Sequence, residues 1–207
     1  MSYAHHGKRL YLKGFQGFGV GVRQLVVVAG QMQQAVALDP TSLQAQAALG
    51  MIWHYARSND QAERIFRDVL AVDPALGSAR FGLVRTLIDV GRHEEALTHL
   101  AEIRRRSGGT LSPAQEAAVG LANAGLNRRG AAQAIAEQLV LREQREGPSV
   151  DAASIFVAIG EKARALDLLE QAVAERQPKC LFLRLDPRLD ALRTEARFSA
   201  LLDRLGF

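Results

Sequence analysis

The chain has 207 residues, of which 48% are hydrophobic and 23% charged, and its formal net charge is +4. This composition is typical of soluble globular proteins and predicts a chain that folds around a sizeable core. The lone cysteine, Cys180, excludes an internal disulfide bond and favours a reducing compartment, so we expect a cytoplasmic protein. The longest aliphatic run, residues 25–29, is far too short to span a bilayer, so we expect no membrane partner.

Residues 1–30 match no repeat of the chain well, and we predict an irregular segment or a degenerate first unit. Their glycines are closely spaced, namely Gly14, Gly17, Gly19 and Gly21. Glycine-rich turns can bind phosphate, which leaves a nucleotide-binding enzyme as a less favoured alternative. The Gly-Lys-Ser/Thr ending and the preceding buried strand of such loops are missing. His5 and His6 lack the accompanying ligands of a metal site.

An internal repeat begins after this segment. Pro40 and Pro74 close two similar helix endings, 35–40 and 69–74, and they lie 74 − 40 = 34 positions apart. The same offset pairs Leu49 with Leu83, Trp53 with Leu87, Ala62 with Ala96, and Phe66 with Leu100. Apolar or small residues therefore recur at matching positions, which is the signature of a repeat architecture.

Each unit contains two amphipathic helices, because its apolar residues recur at three- and four-residue spacing. Residues 57–60 and Gly91 supply turn chemistry between the helices. The Asp-Pro pair at the end of the unit stops the second helix. Trp53 shares a helix face with Leu49, so we predict that it lies in the core.

These residues resemble the tetratricopeptide repeat, in which a 34-residue unit carries a Leu-Gly pair, an alanine, an aromatic residue and a closing proline. Here the pattern is found at Leu49-Gly50, Ala62, Phe66 and Pro74. The resemblance implies an all-α fold, a right-handed α-solenoid of antiparallel helix pairs. We expect about four to five repeats and a C-terminal capping helix.

The array is predicted to occupy residues 31–207. Its units are expected at roughly 41–74, 75–110, 111–147 and 148–180, with a cap at 181–207. The later units drift in register, since Ala132 follows Ala96 by 132 − 96 = 36 positions and Ala165 follows Ala132 by 165 − 132 = 33. A serine at 112, followed by proline and then by glutamine at 115, predicts a capping box at the start of a helix.

The C-terminal residues resemble the ending of tetratricopeptide arrays in bacterial regulators, where the array is joined to a winged-helix, cyclase or kinase domain. Leu189, Ala191 and Ala196 depart from that ending, which more commonly has an aromatic residue and prolines there. The resemblance leaves open a ligand-sensing or regulatory C-terminal fragment of a signalling or transcriptional regulator.

No catalytic residues are predicted, and we expect neither an enzyme nor a bound cofactor or metal. His54, His93 and His99 are dispersed along the chain without a plausible nucleophile. Ser154 is interpreted as a helix-surface residue and Cys180 as a small apolar filler. The basic run 104–106 lies beside Glu102 and is interpreted as a solvated helix end, so we expect no direct binding of nucleic acid.

The resemblance implies that the first helix of each pair lines a concave groove that binds a protein or peptide. The expected groove residues are Gln44, Met51, His54, Tyr55, Ser78, Phe81, Arg85 and Asp89, with Ala47 and Ile88 beside them. A carboxylate clamp of lysines and asparagines is not expected, because its places are taken by Ala47, Met51 and Phe81. We therefore predict a protein-interaction scaffold with apolar anchors, in which Arg85 pairs an acid. Self-association through the edge of the N-terminal repeat is left open.

Overall fold

The computed structural model describes residues 22–143 and 150–206. Within these ranges the chain forms α-helices joined by short turns, and it contains no strand. The helices are α1 (Val22–Leu38), α2 (Leu43–Tyr55), α3 (Asn59–Val72), α4 (Gly77–Asp89), α5 (His93–Arg106), α6 (Pro113–Gly125), α7 (Arg129–Glu143), α8 (Val150–Ala158), α9 (Lys162–Ala174) and α10 (Ala196–Arg204). Two 3-10 turns, Pro178–Phe182 and Pro187–Leu192, lie between α9 and α10.

The chain divides into two compact units, the first ending at Val90 and the second beginning at Gly91. Consecutive helices pack against each other in both units, and the predicted all-α fold of helix pairs is confirmed. The division into repeats at the boundaries given above stays a prediction. The glycine-rich stretch 14–21 and both N-terminal histidines lie outside the described residues.

In the first unit, α2 packs against α1, α3 and α4, and α3 packs against α4. The side chain of Phe66 on α3 fills the space where these helices meet and is fully buried. Two glycines face its ring: a Cβ atom on Gly50 of α2 would lie 2.7 Å from Phe66 Cε1, and one on Gly82 of α4 would lie closer still. The absence of a side chain at both glycines therefore lets α2 and α4 approach the aromatic ring.

In the second unit, α6 packs against α5, α7 and α8, and α8 packs against α7 and α9. The predicted capping box is confirmed at the start of α6. Gln115 N–H donates to the Ser112 hydroxyl oxygen, Ser112 N–H donates to the Gln115 side chain, and Pro113 is in the first turn. Both hydrogen bonds satisfy donors that a helix N-terminus leaves open.

A left-handed backbone residue follows the first helix of successive pairs. Its φ is +67° at Arg57, +79° at Gly91, +58° at Asn127 and +85° at Gly160. The intervals are 91 − 57 = 34, 127 − 91 = 36 and 160 − 127 = 33. The same three intervals separate the alanines Ala62, Ala96, Ala132 and Ala165, so turn geometry and core pattern keep a common register.

The left-handed conformation of the turn residue can be tested at Gly160. Gly160→Ala is expected to lower the free energy of unfolding by about 1–2 kcal/mol, because a Cβ atom is unfavourable at this left-handed residue. Gly130→Ala on α7 is the matched control, since Gly130 has ordinary helical φ and open space around its Cα. The control is expected to be neutral or to stabilise by up to about 1 kcal/mol. Urea unfolding followed by circular dichroism measures both, and equal losses in the two variants would contradict the turn assignment.

The C-terminal turns are joined to α8 by a buried group of charges. Asp151 is 2% exposed, and its carboxylate binds Arg188 Nη1 at 3.0 Å and the Lys179 ammonium group. Arg188 Nη2 also binds the buried Asp186 at 2.6 Å. Burial by itself raises the pKa of Asp151, but the positive charges of Arg188 and Lys179 outweigh burial and hold that pKa below its ordinary range.

Two single residues of this region were interpreted from the sequence. The interpretation of Ser154 as a surface residue is wrong, since it is fully buried and its hydroxyl donates to the Asp151 carbonyl oxygen at 2.7 Å. The hydroxyl can be buried because the helix backbone supplies its acceptor. The interpretation of Cys180 as an apolar filler is consistent with its burial, which raises the pKa of its thiol to about 11.

Candidate functional site

The predicted groove residues lie on two neighbouring helices of the first unit. α2 carries Gln44, Met51, His54 and Tyr55, and α4 carries Ser78, Phe81, Arg85 and Asp89. The α4 residues are spaced by three and four positions, which places them on one side of that helix. Since α2 packs against α4, the two sets are brought to adjacent surfaces.

Three side-chain contacts connect the two helices across this region. The Ser78 hydroxyl donates to Gln44 Oε1 at 3.2 Å, near the N-terminal ends of both helices. Arg85 Nη1 donates to the Tyr55 hydroxyl oxygen at 3.0 Å. His54 Nδ1 lies 3.5 Å from Asp89 Oδ2. Six of the eight expected groove residues therefore contact one another in pairs, and the two hydrogen bonds among these contacts order their side chains before a partner binds.

These residues differ in how much of their surface reaches solvent. Gln44 and Ser78 are exposed, and Met51, Phe81 and Arg85 are half-buried. Tyr55 is 9% exposed and His54 is 1% exposed. His54 and Tyr55 accordingly serve the contacts between helices, and Met51, Phe81 and Arg85 are the half-buried members of the set. We call these three residues the α2/α4 face.

Arg85 has an unusual environment for a charged side chain. Its guanidinium carbon lies 5.0 Å from the centre of the Tyr55 ring, in a cation–π contact. Its Nη2 atom is buried and has no hydrogen-bond partner among the described residues. No carboxylate of the described part of the chain forms an ion pair with Arg85.

Other charged residues of the chain are extensively paired. Arg105 Nη2 binds Glu102 Oε1 at 2.7 Å, and Arg106 Nε binds the same oxygen at 2.6 Å. Hydrogen bonds from these two arginines lower the pKa of Glu102 to about 2. The run 104–106 thus ends α5 with part of its positive charge compensated, as expected of a solvated helix end.

Within the described ranges, no group of three histidine, cysteine, aspartate or glutamate side chains is arranged to hold a metal ion. None of the helices described there is long and apolar enough to cross a membrane.

The buried charged group around Asp151 was not predicted from the sequence. Its signal is an aspartate inside the largely apolar segment 150–157, where a buried acid needs charged partners from elsewhere in the chain.

Successive helix pairs with a common register are typical of a helical-repeat protein. Residues 54–117 match the family described as Tetratricopeptide repeat, which supports the resemblance that the sequence pattern indicated. Members of this family typically act as non-enzymatic scaffolds that bind other proteins, so the function is of the protein-interaction kind.

Among solved structures, the chain is similar to the MamA RS-1 ArsTM double mutant. The two are 11% identical in sequence, and the likeness covers 86% of this chain and 94% of that one with a TM-score of 0.55. At this level of identity the likeness shows the fold alone. No curated protein matches the chain.

Proposed function

We propose that the chain is a protein-interaction scaffold that binds an extended or helical segment of a partner protein on the α2/α4 face. The single observation that carries the proposal is that Met51, Phe81 and Arg85 stay half-buried on α2 and α4, two helices joined by the Gln44–Ser78 and Tyr55–Arg85 contacts. Apolar side chains that stay partly exposed beside one cation are suited to a segment with an apolar anchor.

The contacts around the face support this proposal. The Gln44–Ser78 and Tyr55–Arg85 hydrogen bonds join α2 to α4. A surface whose side chains are already ordered loses less conformational entropy on binding. Met51 adds a flexible thioether that can adapt to different apolar side chains.

Selection from a random linear peptide library displayed on phage tests the proposal. We expect it to yield peptides that bind the wild-type chain, with apolar residues enriched in them. The Met51→Ser/Phe81→Ser variant is expected to bind these peptides at least about tenfold more weakly, because two apolar contacts are lost. Fluorescence anisotropy with labelled peptide measures the dissociation constants.

Val72→Ser is the matched control, since Val72 is an apolar residue of α3 that is 72% exposed and lies outside the face. It is expected to leave the dissociation constants unchanged. The proposal is contradicted if the library yields no binder, or if the Met51→Ser/Phe81→Ser variant binds the selected peptides as tightly as the wild-type chain.

The finer parts of the functional hypothesis remain proposals. A cytoplasmic location, a bacterial origin and a role in signal transduction follow only from the composition and from the resemblance of the C-terminal ending. Self-association through the edge of the N-terminal repeat is a further proposal. Analytical ultracentrifugation of the full chain over a range of concentrations distinguishes a monomer from a self-associating protein.

A further inference from the structure

We infer that the segment bound on the α2/α4 face carries an aspartate or glutamate side chain, and that Arg85 binds its carboxylate. This inference rests on the proposed function and adds the chemistry of the partner to it. The observation behind it is the buried Nη2 atom of Arg85, which has no hydrogen-bond partner among the described residues.

Two other half-buried arginines, Arg188 and Arg164, show what Arg85 lacks. The Arg188 side chain is 15% exposed and binds two carboxylates, those of Asp151 and Asp186. The Arg164 side chain is 41% exposed and binds Glu137 through both terminal nitrogens. Arg85 has only the neutral Tyr55 hydroxyl and the face of the Tyr55 ring. Its charge is therefore compensated less than theirs.

An unpaired buried donor is unfavourable, because it has lost its hydrogen bond to water without gaining another. The cost is greater for a charged group. Arg85 as a whole is half-buried, so a rotation of its long side chain can bring Nη2 to the surface. A carboxylate that meets it there replaces an unsatisfied donor with a charge-assisted hydrogen bond.

The surroundings of Arg85 limit what the segment can be. Phe81 precedes Arg85 by four positions and so lies one helical turn away on the same side of α4. An apolar residue of the partner can contact Phe81 and Met51 while a neighbouring acid reaches Arg85. The structure thus favours an internal motif in which an acidic residue lies close to an apolar one.

The phage library tests this inference when its peptides are displayed by fusion at their C-termini. Such peptides have no free terminal carboxylate, so binding through an acid must come from a side chain. We expect aspartate or glutamate to be enriched next to the apolar anchor. Each selected peptide is then synthesised with a C-terminal amide, with its acid kept or replaced by the matching amide residue.

A double-mutant cycle identifies the contact. Replacing the peptide acid with its amide is expected to weaken binding to the wild-type chain by about tenfold. Arg85→Gln is expected to weaken binding of the acidic peptide by a similar factor, and combining both changes should cost little more than either alone. The peptide substitution is informative even if Arg85→Gln proves unstable, because it uses the wild-type chain.

The outcomes separate the two proposals. Peptides that need Met51 and Phe81 but bind equally well as acid and amide would overturn the inference and leave the proposed function standing. Peptides that bind equally well to the Met51→Ser/Phe81→Ser variant, or a library without binders, would overturn both. A third outcome would also contradict the inference: the peptide acid is needed for binding, but the Arg85→Gln variant binds the acidic peptide as tightly as the wild-type chain. Trp53 fluorescence shows whether that variant is folded, and the result would place the contact elsewhere.

Discussion

Replacing Phe66 with alanine is expected to lower the free energy of unfolding of the first unit by about 3–5 kcal/mol. The ring is fully buried where α2, α3 and α4 meet. Gly50 and Gly82 contact it without side chains of their own. Neither glycine can fill the cavity that the substitution leaves, so the site collapses only by moving helices. Urea unfolding followed through Trp53, the single tryptophan, measures the loss in this unit.

Two further variants show whether the Phe66 ring has the role that its surroundings indicate. Val72→Ala, on the same helix but 72% exposed, is expected to change the free energy of unfolding by no more than about 0.5 kcal/mol. Gly82→Ala is expected to destabilise by about 1–3 kcal/mol, because the added methyl overlaps the ring. Combining it with Phe66→Leu should recover part of that loss. If Phe66→Ala costs no more than Val72→Ala, the description of this core is wrong.

Replacing Asp151 with asparagine is expected to destabilise the second unit by about 3 kcal/mol at neutral pH. This lies at the lower end of the range for breaking a buried ion pair, because Lys179 remains largely in water. The substitution removes the negative charge that holds Arg188 and Lys179 against α8. Amide hydrogen exchange in α8, or urea unfolding followed by circular dichroism, measures the effect.

The effect of Asp151 should depend on pH in a defined direction. The pKa of Asp151 is lowered in the folded chain from its ordinary value of 3.8, because attraction by Arg188 and Lys179 exceeds the opposing effect of burial. A group of this kind contributes stability above its unfolded pKa and loses it as the pH falls through the folded pKa. The difference between wild type and Asp151→Asn should therefore be constant near neutrality and shrink in acid.

Asp167→Asn is the matched control for this prediction. Asp167 also pairs with an arginine, Arg197, at 2.7 Å, but its side chain is 68% exposed. Exposed pairs contribute little, since water screens them. The control is expected to leave the unfolding transition unchanged. Equal effects of the two substitutions, or an Asp151 effect that persists in acid, would contradict the proposed role of the buried network.

The repeat and the helices could be predicted from the sequence because they depend on spacing within short stretches of chain. The offset between Pro40 and Pro74 places the helix pair of the first full unit. The Ser112 capping box depends on residues three positions apart, and the structure confirms it. The core position of Trp53 follows from its periodicity and is confirmed by its 9% exposure.

The polar contacts between different helices could not be predicted, because they depend on residues that are distant in sequence. Arg85 binds Tyr55, 30 positions away, and Arg188 binds Asp151, 37 positions away. The burial of Ser154 also could not be predicted from periodicity. A buried serine needs an acceptor for its hydroxyl, and here the acceptor is a backbone carbonyl oxygen, which the pattern of side chains does not reveal. The sequence could nominate residues for the α2/α4 face, but their pairing and exposure depend on how α2 and α4 are placed.

The binding of a partner segment on the α2/α4 face is tested most directly by the methionine methyl signals of the chain. The sequence has three methionines, of which Met51 lies on the face and Met32 is buried in α1 at 3% exposure. In a chain labelled with carbon-13 at these methyl groups, a selected peptide is expected to shift the Met51 signal saturably and leave that of Met32 in place. A peptide that binds by anisotropy without moving the Met51 signal would contradict the account.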